Sequence, residues 1–199
     1  MKNQTSIKAY VPLRDAPKEK ISVCFRRADI DDLEQITNLE GICFPKAEAA
    51  TKQSFEQRLK WYPNHFLVGE VNGTIISCIN GFVTNEKDLQ DAMYQNAEEH
   101  TETGKWQMIF GVETHPAYQR LGIAALAMQH FIAIAKEEKR WGLVLTCKKE
   151  LVPFYKKFGF VEEGISESSH GGASWFQMRL TFESEQTREA RFVFIFSIF

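Results

Sequence analysis

One stretch limits what this chain can fold into more than any other, the segment 106–139. Met108-Ile109-Phe110-Gly111-Val112 is an apolar run of strand length, and the Ala/Leu-rich residues beyond Ala124 carry helical periodicity. Between them, His115-Pro116-Ala117-Tyr118-Gln119-Arg120-Leu121-Gly122 leaves room only for a tight turn. The segment therefore reads strand, turn, helix. A helix opened by Gly122 and the small Ala124 exposes unpaired backbone N–H groups at the positive end of the helix dipole. Such a turn is a cradle for a phosphate, with the N–H groups of Arg120, Leu121, Gly122, Ile123 and Ala124 as its donors.

The bulk properties narrow what kind of partner that cradle serves. At 199 residues the chain suits one domain with a full core. A net charge of -2 gives no broad basic field, so nucleic acid and acidic membrane are not expected partners. A small molecule is expected, bound to a monomer or a homodimer. Cys24, Cys43, Cys78 and Cys147 form no CxxC pair and have no histidine at metal-ligand spacing. They read as reduced core thiols of a cytoplasmic protein, and no metal constellation is expected.

In chain order, residues 1–20 are polar, with Pro12 and Pro17, and read as a flexible N-terminal arm that is neither signal peptide nor membrane span. Residues 21–183 form the expected domain. Ser22–Arg27 alternates as a strand, and Asp29-Ile30-Asp31-Asp32 opens a helix whose buried face is Leu33, Ile36, Leu39 and Ile42. Thr51–Trp61 is a second helix, closed by Pro63. Asn72-Gly73 between two apolar runs predicts a β-hairpin. The acidic residues 85–105 read as a short helix plus a loop, either overlying a substrate site or serving as a solvated connector. Gly142–Cys147 is a buried strand, Lys149–Phe158 a short helix, and Phe160–Glu163 and Trp175–Leu180 are strands. Residues 184–199 are a tail with an apolar end, Phe192–Phe199, too short to span a bilayer; an extra strand, a swapped arm and an aggregation-prone tail all remain open.

Gln119, Gly122 and Ala124 carry the spacing Gln/Arg-x-x-Gly-x-Gly/Ala, and Leu151-Val152-Pro153-Phe154-Tyr155-Lys156-Lys157-Phe158-Gly159-Phe160 follows downstream. With a strand before and a helix after, this resembles the GNAT acetyltransferases. Cys43-Phe44-Pro45, Tyr62-Pro63, Leu145-Thr146-Cys147 and Ser169-His170-Gly171-Gly172 are similar to the serotonin (arylalkylamine) N-acetyltransferase branch. The resemblance implies an α/β (α+β) fold with a central twisted mixed sheet of about seven strands and about four helices. It also implies acetyl-CoA as co-substrate, with pyrophosphate on the Gln119–Ala124 loop and pantetheine along the backbone of Val112 and Thr114. The Val112 N–H is the candidate that polarises the thioester carbonyl, and Tyr155 the acid that protonates the departing thiolate. A phenol, with its ordinary pKa near 10, suits that task.

The resemblance departs at one point. Where animal members of that branch carry two histidines on the strand before the cradle, this chain has Met108 and Phe110. The base must be another group or water. Glu48 is the first candidate, by analogy with insect arylalkylamine acyltransferases, against its alternative as a solvated glutamate. Glu113 ranks lower, because strict alternation points it away from the face shared by Met108, Phe110 and Val112. Phe44, Met108, Phe110 and His170 are the acceptor-side candidates, joined by Phe66, Phe154 and Trp175, with core packing and, for His170, turn formation as the competing roles. The expected activity is transfer of acetyl from acetyl-CoA to a small primary amine of arylalkylamine type in a ternary complex. A polyamine acceptor and a non-catalytic CoA-binding module are the alternatives.

Overall fold

The computed structural model describes residues 6–14, 16 and 18–182. The tail 184–199, with its apolar end Phe192–Phe199, lies outside the described residues. Ten strands and four α-helices alternate along the described chain. Strands β1 (Ile7–Pro12), β2 (Lys20–Arg27), β3 (Phe66–Val71), β4 (Thr74–Asn80) and β7 (Gly111–Thr114) form one sheet in the order β1-β2-β3-β4-β7. Strands β5 (Val83–Thr84), β6 (Trp106–Ile109), β8 (Gly142–Cys147), β9 (Val161–Ile165) and β10 (Phe176–Thr181) form a second, in the order β5-β6-β8-β10-β9. The β6–β8 pairing is parallel and every other pairing antiparallel. The mixed α/β architecture is the one expected, but the single sheet of about seven strands is here two sheets that share the chain at Phe110.

Helices α1 (Leu33–Cys43) and α2 (Lys52–Trp61) cover one face, and α3 (Ile123–Glu137) covers the other. Ile36, Leu39, Phe55, Leu59, Tyr62 and Phe66 make the first core with Cys78, Phe82 and Met108. Ile123, Ala127, Met128 and Phe131 of α3 make the second with Val23, Phe25, Ile76, Ile79 and Leu145. Each fully buried large side chain contributes about 1.5–3 kcal/mol of transfer free energy, so the sheets are fixed on both faces. Thr51 caps α2 by accepting from the Ser54 N–H at 3.1 Å. The Asn72-Gly73 turn joins β3 to β4, both residues at positive φ, as the hairpin signal requires.

Two expectations are corrected by pairing and pitch. Residues 7–12 are no loose arm: they form edge strand β1, registered on β2 from Ile7↔Phe25 to Pro12↔Lys20, with Val11 in the core. Ile7, Ala9 and Val11 carry the period-2 signal, and Pro12 sits where an edge strand tolerates it. On α1, Ile36 and Leu39 are buried but Ile42 is 53% exposed. Steps of three residues lag the helix by about 60° each, so the inward face passes from Ile36 to Glu40 instead. No helix among the described residues is long and apolar enough to cross a membrane.

Candidate active site

The site begins with a fault in a strand. The N–H of Phe110 donates to the Asn80 carbonyl at 2.7 Å while the register places Gly111 opposite the same Asn80, so two residues face one. That is a β-bulge. Before it, β6 runs parallel to β8; after it, β7 pairs only with β4 among the described residues. The His115 N–H donates to the Ile76 carbonyl at 2.8 Å, and alternation from there turns the N–H groups of Glu113 and Gly111 toward β4. The N–H groups of Val112 and Thr114 therefore face the open edge, where a sheet offers ladder hydrogen bonds to an extended ligand.

The bulge also reverses the side-chain faces. Met108 and Phe110 belong with the α1/α2 core, whereas Val112 packs on the α3 side. Glu113 lies on the α1/α2 side: a Cβ placed on Gly111 would meet its Oε2 at 3.0 Å. The expectation that Glu113 points away from Met108 and Phe110 is thus overturned, because alternation skips a beat at a bulge.

At the far end of β7 stands the cradle. Arg120 and Gly122 have φ of 63° and 85°, and Gly122 is the N-cap of α3. The N–H groups of residues 120–125 donate to no protein group among the described residues, and they converge at the positive end of a 15-residue helix. That donor set fits a pyrophosphate. Leu121 and Ile123 turn their side chains into the core and give only backbone; Ala124 adds no bulk. Gln119 is a brace rather than a donor to the cradle: its N–H goes to the Pro116 carbonyl, and its side-chain amide donates to the Thr114 carbonyl at 3.0 Å.

Where β7 and β8 part, a throat of 80 Å³ is lined by Val112, Thr146, Cys147, Tyr155, Phe44 and Trp175. Glu40, Glu48, Tyr94, Phe110, Gly111 and His170 line both the throat and a neighbouring chamber of 420 Å³. The chamber is completed mainly by α2, through Gln53, Ser54, Gln57 and Arg58, and by Gln95 and Ala97. Of the acceptor-side candidates, Phe44, Phe110, His170 and Trp175 reach these spaces. Met108 does not, being fully buried core, and Phe66 and Phe154 line neither space. Burial raises the Tyr155 phenol well above its ordinary value, with Cys147 and Glu113 adding to the shift, so it enters the throat as a proton donor. Burial, with Glu162 and Glu150, pushes the Cys147 thiol up to about 12, which leaves it protonated and a poor nucleophile.

Glu48 lies beside the throat, but Lys148 Nζ holds its Oε1 at 2.7 Å. His170 is more than a turn residue: its Nε2 donates to the Glu48 carbonyl at 2.9 Å, and its ring stacks on Tyr94 at 5.0 Å. Arg58 crosses the chamber wall, donating to Asn80 Oδ1 at 3.1 Å and to the Tyr94 carbonyl at 2.8 Å, with its guanidinium 5.0 Å from the Phe110 ring. The segment 85–105 forms two short 3-10 turns, and it contributes Tyr94, Gln95 and Ala97 to the chamber rather than its acids. Asp88 pairs with Arg179, Asp91 accepts from Ser168 and Ser169, and Glu102 pairs with His65, His100 and Arg140.

Glu40, Arg58 and Tyr94 were not read from the sequence as site residues, and Glu113 was ranked below Glu48 as the base. Helical pitch carried a signal for Glu40, four residues after the buried Ile36. Glu113 is 2% exposed, and neither of its carboxyl oxygens has a hydrogen-bond partner among the described residues. Burial, then the neighbouring Glu40, hold its carboxyl well above the usual carboxylate range. Glu40 Oε1 accepts the Ala50 N–H at 2.8 Å while Oε2 is unpartnered, and burial raises this carboxyl too.

Known proteins place this geometry. The loading GNATL domain of CurA from Lyngbya majuscula superposes with a TM-score of 0.70 at 15% identity, covering 80% of this chain and 97% of that one. The GphF GNAT-like decarboxylase, solved with isobutyryl-CoA, superposes at 0.69 with 16% identity over 79% of this chain and 98% of its own. The PaiA N-acetyltransferase of Thermoplasma acidophilum, solved with coenzyme A, superposes at 0.62 with 15% identity over 81% of this chain and 100% of its own. At these identities the likeness establishes the fold. No curated protein matches the sequence. The model of the acetyltransferase (GNAT) family matches residues 33–160, more than half of the chain, and the chain belongs to that family.

Proposed function

We propose that the protein transfers the acetyl group of acetyl-CoA to the primary amine of a small, arylalkylamine-like acceptor by direct attack in a ternary complex. One observation carries this reading: the throat lined by Val112 and Tyr155 opens directly into a chamber large enough for a compact amine. The thioester supplies an activated acetyl carbonyl. The N–H groups of residues 120–125 hold the pyrophosphate, and the N–H groups of Val112 and Thr114 on the open edge of β7 align the pantetheine arm. The Val112 N–H meets the carbonyl oxygen as negative charge grows on it. Tyr155 gives its proton to the departing sulfur and regains one from the nitrogen that has attacked. Cys147 takes no acyl group, since its thiol stays protonated.

Phe110, Tyr94 and the His170 ring offer aromatic walls, which favour an aryl-bearing acceptor. A polyamine is the weaker reading, because none of the acids of the 86–102 segment lines the chamber, and Asp88, Asp91 and Glu102 are engaged in ion pairs and hydrogen bonds elsewhere. Thiol release from acetyl-CoA across tryptamine, phenethylamine, spermidine and peptide amines tests the reading. Turnover with the aryl amines supports it, spermidine alone selects the polyamine, and CoA binding without release toward any amine leaves a non-catalytic module.

A further inference from the structure

The wall shared by throat and chamber holds two acids that the fold leaves unsatisfied. Glu40 lines both spaces, with its Oε2 free of any protein partner among the described residues. Behind it Glu113 is buried, with both oxygens unpartnered among the described residues, and a Cβ placed on Gly111, which lines both spaces, would meet its Oε2 at 3.0 Å. A buried polar atom without a partner is costly, and at the wall of a cavity it marks a candidate functional group. We propose that Glu40 and Glu113 act as one proton-holding pair at the floor of the acceptor chamber, sharing a single proton at rest and taking the ammonium proton of the acceptor through Glu40. This rests on the amine-acetylation reading above.

Charge balance supports the single shared proton. The groups facing the pair are Arg58 from α2, His170 from the 170–172 turn, Cys43 of α1, Cys78 of β4 and Tyr155 of the short helix Val152–Lys156; Glu48 and Lys148 pair with each other. Arg58 is the one fixed cation among those first five, and it has no carboxylate within salt-bridge distance among the described residues. One negative charge on the pair neutralises it, and a second has nothing to balance it. The proton balance closes as well. R–NH3+ loses a proton to the ionised carboxylate, and the neutral amine attacks the carbonyl carbon. The C–S bond breaks with the electron pair going to sulfur, which Tyr155 protonates. The attacking nitrogen gives up its second proton to restore Tyr155, and the pair releases its extra proton to solvent.

Glu40 is the catalytic member and Glu113 a positioning one, so their variants must differ. Glu40→Gln should lower kcat/KM for the amine roughly a hundredfold and move its acid limb toward the amine's own pKa, with CoA affinity unchanged. Glu113→Gln should keep turnover but move the acid limb up by about one pH unit, since the Glu40 carboxylate loses the proton it shares with Glu113. An acid limb unmoved in both variants overturns the pair, as does loss of CoA binding in Glu40→Gln, which marks a structural role. A second readout is independent of the acceptor: infrared difference spectra of the full chain at neutral pH, wild type against Glu113→Gln. A protonated-carboxyl band lost in the variant supports the pair even if no amine turns over, in which case only the acceptor reading falls. Absence of that band overturns the pair while turnover stands.

Discussion

Replacing Glu113 by methionine should make the protein more stable while harming it as a catalyst. The side chain is 2% exposed, and among the described residues neither oxygen has a full-strength hydrogen-bond partner, the Cys78 thiol beside it being a weak donor. An unsatisfied buried polar group costs about 1–3 kcal/mol, and methionine has nearly the same length without the polar atoms. Glu113→Met should therefore gain ~1–3 kcal/mol, with Tm rising by about 2–4 °C per kcal/mol in a chain of this size. The gain has a pH signature. Because the folded carboxyl titrates above its unfolded value of 4.5, the folded state holds the proton more tightly. Wild-type stability is thus full below that value and declines as pH rises toward the folded pKa. The variant lacks this decline, so its advantage widens from acid to neutral pH. Urea denaturation of both proteins across that window measures it. A variant that is less stable at neutral pH would refute the reasoning, since Glu113 would then have partners worth keeping.

Other perturbations separate the remaining parts of the site. Tyr155→Phe removes the acid but not the packing, so kcat should fall roughly 10- to 100-fold with KM little changed, read by thiol release over the full pH range. Gly122→Val forces a β-branched residue to a φ of 85° at the cradle, at about 1–2 kcal/mol and a corresponding loss of CoA affinity by calorimetry, with β-sheet content unchanged by circular dichroism. Asp32→Asn breaks the pair in which Arg26 Nη1 and Nη2 donate to the two Asp32 oxygens at 2.7 and 2.8 Å, costing ~1–3 kcal/mol after allowance for the partly exposed Arg26. Asp32 is held below its ordinary value of 3.8, although burial opposes this, by Arg26 and the Asp29 N–H. Its contribution is therefore present above that value and lost as pH falls through the folded pKa, and urea melts of Asp32→Asn should converge on wild type in acid.

What the sequence made legible was whatever is dictated locally. The Gly122 turn was readable because few residues adopt its backbone angles, and the Asn72-Gly73 hairpin for the same reason. Tyr155 could be placed because the run Pro153-Phe154-Tyr155-Lys156-Lys157-Phe158-Gly159-Phe160 resembles the family's motif, and it lines the throat. The bulge at Phe110 and Gly111 was not legible, because it is decided across the sheet: it exists only where two residues meet the single Asn80 of β4, a partner far off in sequence. The misplacing of Glu113 descends from it, since counting in twos runs through a place where the count slips; Met108, set on the acceptor side by the resemblance, lies before the bulge and is core. Arg58 and Tyr94 were hidden differently, each on an element with ordinary amphipathic or polar patterning that only tertiary packing turns toward the site.

The same irregularity accounts for both halves of the site. Had β6 and β7 continued as one regular strand, its ladder with β8 would have run past Ile109↔Leu145 and occupied the edge that Val112 and Thr114 leave open. No extended ligand could then pair there. In that regular strand Glu113 would also have shared a face with Ile109, on the α3 side, away from Glu40 and Arg58. Inserting one residue at Gly111 frees the edge and swings the acid in a single step, and a side chain at that position would press on Glu113 Oε2 and Asn80 Nδ2 at 3.0 Å each. Donor alignment and acceptor deprotonation thus depend on one backbone distortion. Gly111→Ala should therefore disturb the acid limb of the pH profile, through Glu113, while leaving the cradle at Gly122 to bind CoA as before, and weakened CoA affinity as the sole defect would break that link.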